Sequence, residues 1–197
     1  MFIMSVDLGQ AVDYTAISIV EQVGAGGRER TGYLLRYLDR PPLGTTYPAI
    51  VRRVLSLLDR APLSRQETPL VVDRTGVGGA VVDMFTASGV RPRAITIHGG
   101  DAVTDTDPYN LRVPKRDLAS TLVALFQTAR LQVAAGLELA PVLATELLNF
   151  KVKVNVASGH DSYEAWRENV HDDLVLSVAM ACWFGEYQNA PAGVWLA

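Results

Sequence analysis

His171-Asp172-Asp173-Leu174-Val175 opens an apolar run that continues through Trp183 and Phe184. A helix of that composition is apolar almost all round, and such a helix is a buried one. The two carboxylates therefore stand where the chain enters the core, at the positive end of a helix dipole, which favours anions. Asp is also an ordinary helix cap, so the pair alone does not separate a helix start from a site. Two further aspartates shift the balance. Asp7 lies at the end of a strand-like run over residues 2–8, and Asp73 closes another over 70–73. Three such points, far apart in sequence, can converge on one site, and the rest of the chain reads as the scaffold that brings them together.

Working outward, residues 2–8, 15–21 and 33–38 read as three strands joined by short Gly-containing turns, which predicts an antiparallel meander. Ile50, Val51, Val54, Leu57 and Leu58 follow a helical period over 47–58. Residues 70–73 then form a short buried-type strand. Glycines at 76, 78 and 79 lead into a helix over about 80–88, and 94–97 return as a parallel strand. Residues 99–110 read as loop. Pro114 stands where a helix with Leu118, Leu122, Leu125 and Phe126 begins, and a further helix covers 141–150. Lys151-Val-Lys-Val-Asn-Val156 alternates strictly, which predicts a strand, with 162–167 returning as the second arm of a hairpin. The expected architecture is one α/β domain over 1–197: a mixed central sheet, with an antiparallel three-strand meander plus parallel strands, flanked by helices.

A hydrophobic content of 49% with 20% charged residues describes an ordinary globular protein. The net charge of −3 argues against coating nucleic acid by bulk charge, while leaving room for a local basic groove. Cys182 is the only cysteine, so a disulfide framework and a Cys-rich zinc site are excluded. The N-terminus lacks the basic segment of a signal peptide, and the run 174–185 is too short for a bilayer. No membrane role and a cytoplasmic location are expected.

Carboxylates at strand ends point from rigid elements into the space beside a sheet. Asp7, Asp73, Asp172 and Asp173, brought together, would repel one another unless cations occupied the cluster. Hard divalent ions with oxygen ligands, Mg²⁺ or Mn²⁺, are the natural occupants. Two of them, roughly 3.5–4 Å apart, can activate water and stabilise the leaving oxygen in phosphodiester hydrolysis without a nucleophilic side chain.

The residues that carry this pattern resemble a known family. Val6-Asp7-Leu8-Gly9 with Asp13 and Thr15, Val71-Val72-Asp73-Arg74-Thr75-Gly76-Val77-Gly78, Val113-Pro114-Lys115-Arg116-Asp117-Leu118, Glu146-Leu147 and His171-Asp172-Asp173-Leu174-Val175 occur in the order found in the nuclease domain of the phage terminase large subunit. The resemblance implies a ribonuclease H-like fold, shared with retroviral integrases and RuvC-type Holliday junction resolvases. It also implies a two-metal endonuclease cutting double-stranded DNA during genome packaging. Asp7 would be the metal-bridging acid, Asp73 the second, and Asp172 with Asp173 the helix acid. The hairpin near 150–167 would approach DNA. The chain lacks the G-x-x-x-x-G-K-[ST] loop of the packaging motor. A separate packaging ATPase or portal is therefore the expected partner, unless the chain is a module of a longer protein.

Several residues keep two readings. Lys115 and Arg116 open a helix, as a solvated end or as phosphate contacts. Lys151 and Lys153 share one strand face, as phosphate-tracking cations or as charges guarding a sheet edge. His171 beside the acids, and His98 at a strand end, are candidates to orient a ligand or touch phosphate. Asp13 reads as a turn residue. A Holliday junction resolvase, a sugar-kinase-like ATP binder and a non-catalytic module of the same fold are the competing functions. The ATP binder requires two lobes, and the retained acids weigh against a module without chemistry.

Overall fold

The computed structural model describes residues 1–9, 13–24, 31–156 and 171–189. Three strands, β1 (Phe2–Asp7), β2 (Ala16–Val23) and β3 (Gly32–Asp39), form the expected meander. Helix α1 (Tyr47–Leu58) follows, then β4 (Leu70–Asp73), α2 (Gly78–Ala87) and β5 (Arg93–His98). The chain continues through β6 (Thr104–Asp107), β7 (Asn110–Pro114), α3 (Lys115–Gln127), β8 (Leu131–Val133), α4 (Ala140–Val156) and α5 (Asp173–Asn189).

The eight strands make one mixed sheet in the order β6-β7-β5-β4-β1-β2-β3-β8. Strand β1 pairs antiparallel with β2 and parallel with β4, and β4 continues the parallel arrangement into β5 and β7. This is the meander plus parallel strands expected from the sequence. Between them, β1 and β4 fix the site. With Val6 opposite Val72, the next residues on the two neighbouring strands are Asp7 and Asp73.

Alternation along the strands feeds two cores. Ile3, Val20, Leu35 and Val71 pack beneath α3, α4 and α5, whereas Met4, Val6, Ile17 and Val72 pack beneath α1 and α2. Helix α5 is buried from Asp173 to Gly185, as its composition predicts. Small residues bring it close to the sheet. Ser177 Oγ hydrogen-bonds Ser18 Oγ at 2.9 Å and lies 3.1 Å from the Ser5 carbonyl oxygen, and Ser5 faces Ser18 across β1 and β2. At the far end Glu186 accepts hydrogen bonds from Tyr33 Oη (2.7 Å) and Arg130 (2.6 and 3.0 Å). Pinned in the middle and at its C-terminal end, α5 brings its N-terminus to the end of β1.

Two expectations are corrected. Residues 151–156 are helical, extending α4 to Val156, so the alternation of lysine and valine does not make a strand. Lengthening a helix already packed through Leu143 and Phe150 costs less than nucleating a new element. The expected return arm at 162–167 lies outside the described residues. The loop expected at 99–110 contains β6, which pairs antiparallel with β7. Among the described residues no helix is long and apolar enough to cross a membrane.

Candidate metal centre

Asp7 and Asp73 end adjacent parallel strands, each only 6–7% exposed. Two close-packed glycines hold the turns beyond them. A Cβ on Gly78 would lie 2.1 Å from the Asp73 carbonyl oxygen, and one on Gly9 would lie 2.1 Å from that of Asp13. Only glycine lets α2 start this close to the end of β4. Thr75 completes the turn after Asp73: its N–H donates to Asp73 Oδ1 at 2.8 Å, and its Oγ1 accepts from the Ile97 N–H at 3.0 Å. Gly9 N–H donates to Thr15 Oγ1 at 3.2 Å and closes the turn after β1.

The helix acids arrive from the opposite side. Asp172 precedes α5, its carbonyl accepting from the Leu176 N–H at 2.9 Å, and Asp173 is the first helical residue. Asp172 Oδ2 accepts from Lys115 Nζ at 2.9 Å, so Lys115 turns into the acidic cluster. Asp173 is 6% exposed, and among the described residues its Oδ2 has no hydrogen-bond donor. Around that oxygen stand Arg40 Nη2 at 3.6 Å and His171 Nδ1 at 3.7 Å. Tyr14 forms a wall here, its ring beneath the Arg40 guanidinium (4.9 Å) and edge-on to His171 (5.1 Å).

Electrostatics tie the four acids together. Burial pushes the Asp7 carboxyl well above the usual carboxylate range, and Asp73, Asp173 and Asp172 push it further, while Lys115 opposes them. Burial also raises Asp73, against hydrogen bonds from Thr75 and Asp7 and the charge of Lys115. Both shifts run towards the protonated form, because burial penalises a charged carboxylate. Asp173 is pushed up to about 7, first by burial and then by Glu146, Asp172 and Asp13, against the pull of Arg40.

The remaining expected residues are placed as follows. Arg116 pairs with Asp101, through Nη1 to its carboxylate and Nη2 to its carbonyl oxygen at 2.5 Å, and its Nε lies 3.6 Å from Asp117. His98 ends β5 at the same edge of the sheet; its Nδ1 accepts from the Gly100 N–H at 3.0 Å. Lys151 and Lys153 belong to α4, and their side chains lie outside the described part.

Two neighbours of the acids complete the site: Glu146, which the sequence motifs include without a role, and Arg40, which they do not include. Glu146, only 4% exposed on α4, accepts through Oε2 from the N–H groups of Leu174 and Val175 at 3.0 and 3.2 Å. Its Oε1 pairs with Arg40, the residue that follows β3. Glu146 carries a sequence signal as part of the Glu146-Leu147 segment, whereas nothing in the sequence marks Arg40.

The donor set fits a hard divalent cation. All four acids offer oxygen, one buried Asp173 oxygen lacks a donor among the described residues, and burial raises Asp7 and Asp73, which a cation would oppose. Among the described residues no three His, Cys, Asp or Glu side chains already stand as ligands around one point. Lys115 and Arg40 hold two of the acids instead.

No protein-family model matches the chain, and no curated protein matches it. Among solved structures it is similar to Thermus thermophilus RuvC, with 14% identity, 96% of each chain covered and a TM-score of 0.47. It is similar at the same identity and TM-score to T. thermophilus RuvC in complex with Holliday junction substrate, covering 96% of this chain and 95% of that one.

Proposed function

We propose that the chain is a divalent-metal-dependent endonuclease that hydrolyses DNA phosphodiester bonds, with Asp7, Asp73, Asp172 and Asp173 holding Mg²⁺ or Mn²⁺. The observation that supports this reading is that Asp7 and Asp73 end the neighbouring strands β1 and β4, with the charges of Asp172 and Asp173 at the start of α5 acting on Asp7. A cluster of buried acids destabilises a protein unless something compensates them. Lys115 and Arg40 do so only in part, since Asp7, Asp73 and Asp173 all remain raised.

When bound, a pair of such ions supplies Lewis acidity for the phosphate and a nucleophilic water. The chain's own residues do the rest. Asp7 and Asp73, on rigid strand ends, provide the fixed half of the ligand set. Asp172 and Asp173 provide the half whose position depends on α5. Lys115 brings a positive charge beside the acids, where a phosphate would otherwise meet an uninterrupted negative field. The sequence motifs favour double-stranded DNA as substrate and a packaging role beside a separate ATPase or portal.

The test is cleavage of supercoiled plasmid and of a labelled four-way junction with EDTA, Mg²⁺ or Mn²⁺, comparing wild type with Asp7→Asn. Metal-dependent plasmid cutting that disappears in the variant supports the proposal. Cutting confined to the junction assigns a resolvase instead. No cutting of either, with no Mn²⁺ bound in calorimetry, removes the nuclease reading.

A further inference from the structure

A helix that begins with two aspartates normally spends their carboxylates on its own unpaired N–H groups. Here it does not. The free N–H groups of Leu174 and Val175 are taken by Glu146 from α4, a residue 28 positions upstream. Asp172 turns to Lys115, and Asp173 keeps a buried oxygen without a hydrogen-bond donor among the described residues. Glu146 cannot itself be a ready metal ligand, because Oε2 serves two backbone donors and Oε1 is paired with Arg40.

We infer that Glu146 and Arg40 are positioning residues: Glu146 caps α5 from outside, so that Asp172 and Asp173 are released from capping and present their carboxylates to the site. This rests on the nuclease reading above. Arg40 makes the arrangement tolerable. A buried glutamate beside a buried aspartate needs a cation, and the Arg40 guanidinium reaches both, with its Nη2 against Glu146 and 3.6 Å from Asp173. Stacking on Tyr14 keeps it there without a further carboxylate. Without Glu146 the cheapest repair is for Asp172 to swing back over the first turn of α5. That keeps the helix and gives up a ligand.

The experiment is Mn²⁺ binding by calorimetry to wild type, Glu146→Ala, Glu146→Gln and Tyr33→Phe, each checked for fold by circular dichroism. Tyr33 lies at the opposite end of α5, bonded to Glu186, and serves as a control for general weakening. Glu146→Ala is expected to lose about 10–100-fold in Mn²⁺ affinity, the usual effect of removing a residue that orients metal ligands. Glu146→Gln keeps an oxygen for the two N–H groups and loses only the charge that Arg40 meets, so a smaller, severalfold loss is expected. Tyr33→Phe is expected to bind as wild type does. In cleavage assays the Glu146 variants should need more metal for half-maximal rate and recover most of kcat when it is supplied. Folded Glu146 variants that bind Mn²⁺ as tightly as wild type overturn the inference and leave the nuclease reading intact. An equal loss in Tyr33→Phe also overturns it, since the effect would then be general destabilisation. If Glu146→Ala does not fold, unchanged binding by a folded Glu146→Leu, which also lacks an acceptor but fills the space, is decisive against it. A wild type that binds no Mn²⁺ removes the nuclease reading as well.

Discussion

Replacing Asp173 by Asn should make the metal-free protein more stable, and by an amount that depends on pH in a set direction. The Asp173 carboxyl is pushed up to about 7 from an ordinary 3.8, chiefly by burial. Between those two values the folded chain holds a proton there that the unfolded chain has released. Stability attached to this group is therefore present at acid pH and is lost as pH rises from about 4 to about 7. A shift of about three units corresponds to about 4 kcal/mol at pH 8. Little discount for solvent is needed, because the side chain is 9% exposed. For a chain of this size that is on the order of 10 °C in melting temperature.

The assay is chemical denaturation in EDTA at several pH values between 4 and 8, for wild type and Asp173→Asn. The quantity of interest is the difference between the two, which cancels titrations elsewhere in the chain. It should be small near pH 4 and grow towards pH 8 in favour of the variant. Saturating Mn²⁺ should reverse the order at pH 8, since the ion stabilises only a protein that can bind it. A difference that stays flat with pH, or grows towards acid, would refute the picture of a desolvated acid cluster.

Other consequences follow from the same geometry. Because Asp173 is pushed up to about 7 and burial raises Asp7 and Asp73, Mn²⁺ binding should release protons. Calorimetry near pH 6 in buffers of differing ionisation enthalpy reads this directly, and buffer-independent heats would contradict it. Gly78→Ala places a Cβ against the Asp73 carbonyl oxygen, so a loss of about 1–3 kcal/mol is expected together with weaker Mn²⁺ binding. Unchanged denaturation and binding would show that α2 can retreat freely. Lys115→Met removes the partner of Asp172, a pair about one-fifth exposed, and should cost the metal-free protein about 1 kcal/mol. The same change should tighten Mn²⁺ binding while lowering cleavage, and looser binding in calorimetry would count against it.

How much of this was legible before the structure depended on how far each signal reached along the chain. Asp7 and Asp73 could be placed because apolar runs of known period end on them, and because neighbouring parallel strands put their last residues side by side. Helix α5 could be placed because only a buried helix has that composition. Short edge strands were not legible. The sequence Thr104-Asp-Thr-Asp107 carries no apolar alternation, and β8 is three residues long; both owe their pairing to β7 and β3 already being in place. The alternation at 151–156 misled for the complementary reason: local pattern favoured a strand, but the preceding helix ran on.

The candidate site divides along the same line. Its acids lie on elements that announce themselves, but the residues that aim those acids do not. A glutamate on α4 and an arginine just beyond β3 have no local pattern tying them to the start of α5, and only the folded chain brings Glu146 within 3.0 Å of the Leu174 N–H. Candidate carboxylates can thus be read from where strands and helices end. The division of labour between ligand and cap cannot, because it is decided by which carboxylate reaches the helix N–H groups. In this chain Glu146 reaches them, while Asp172 pairs with Lys115 and Asp173 lies beside Arg40.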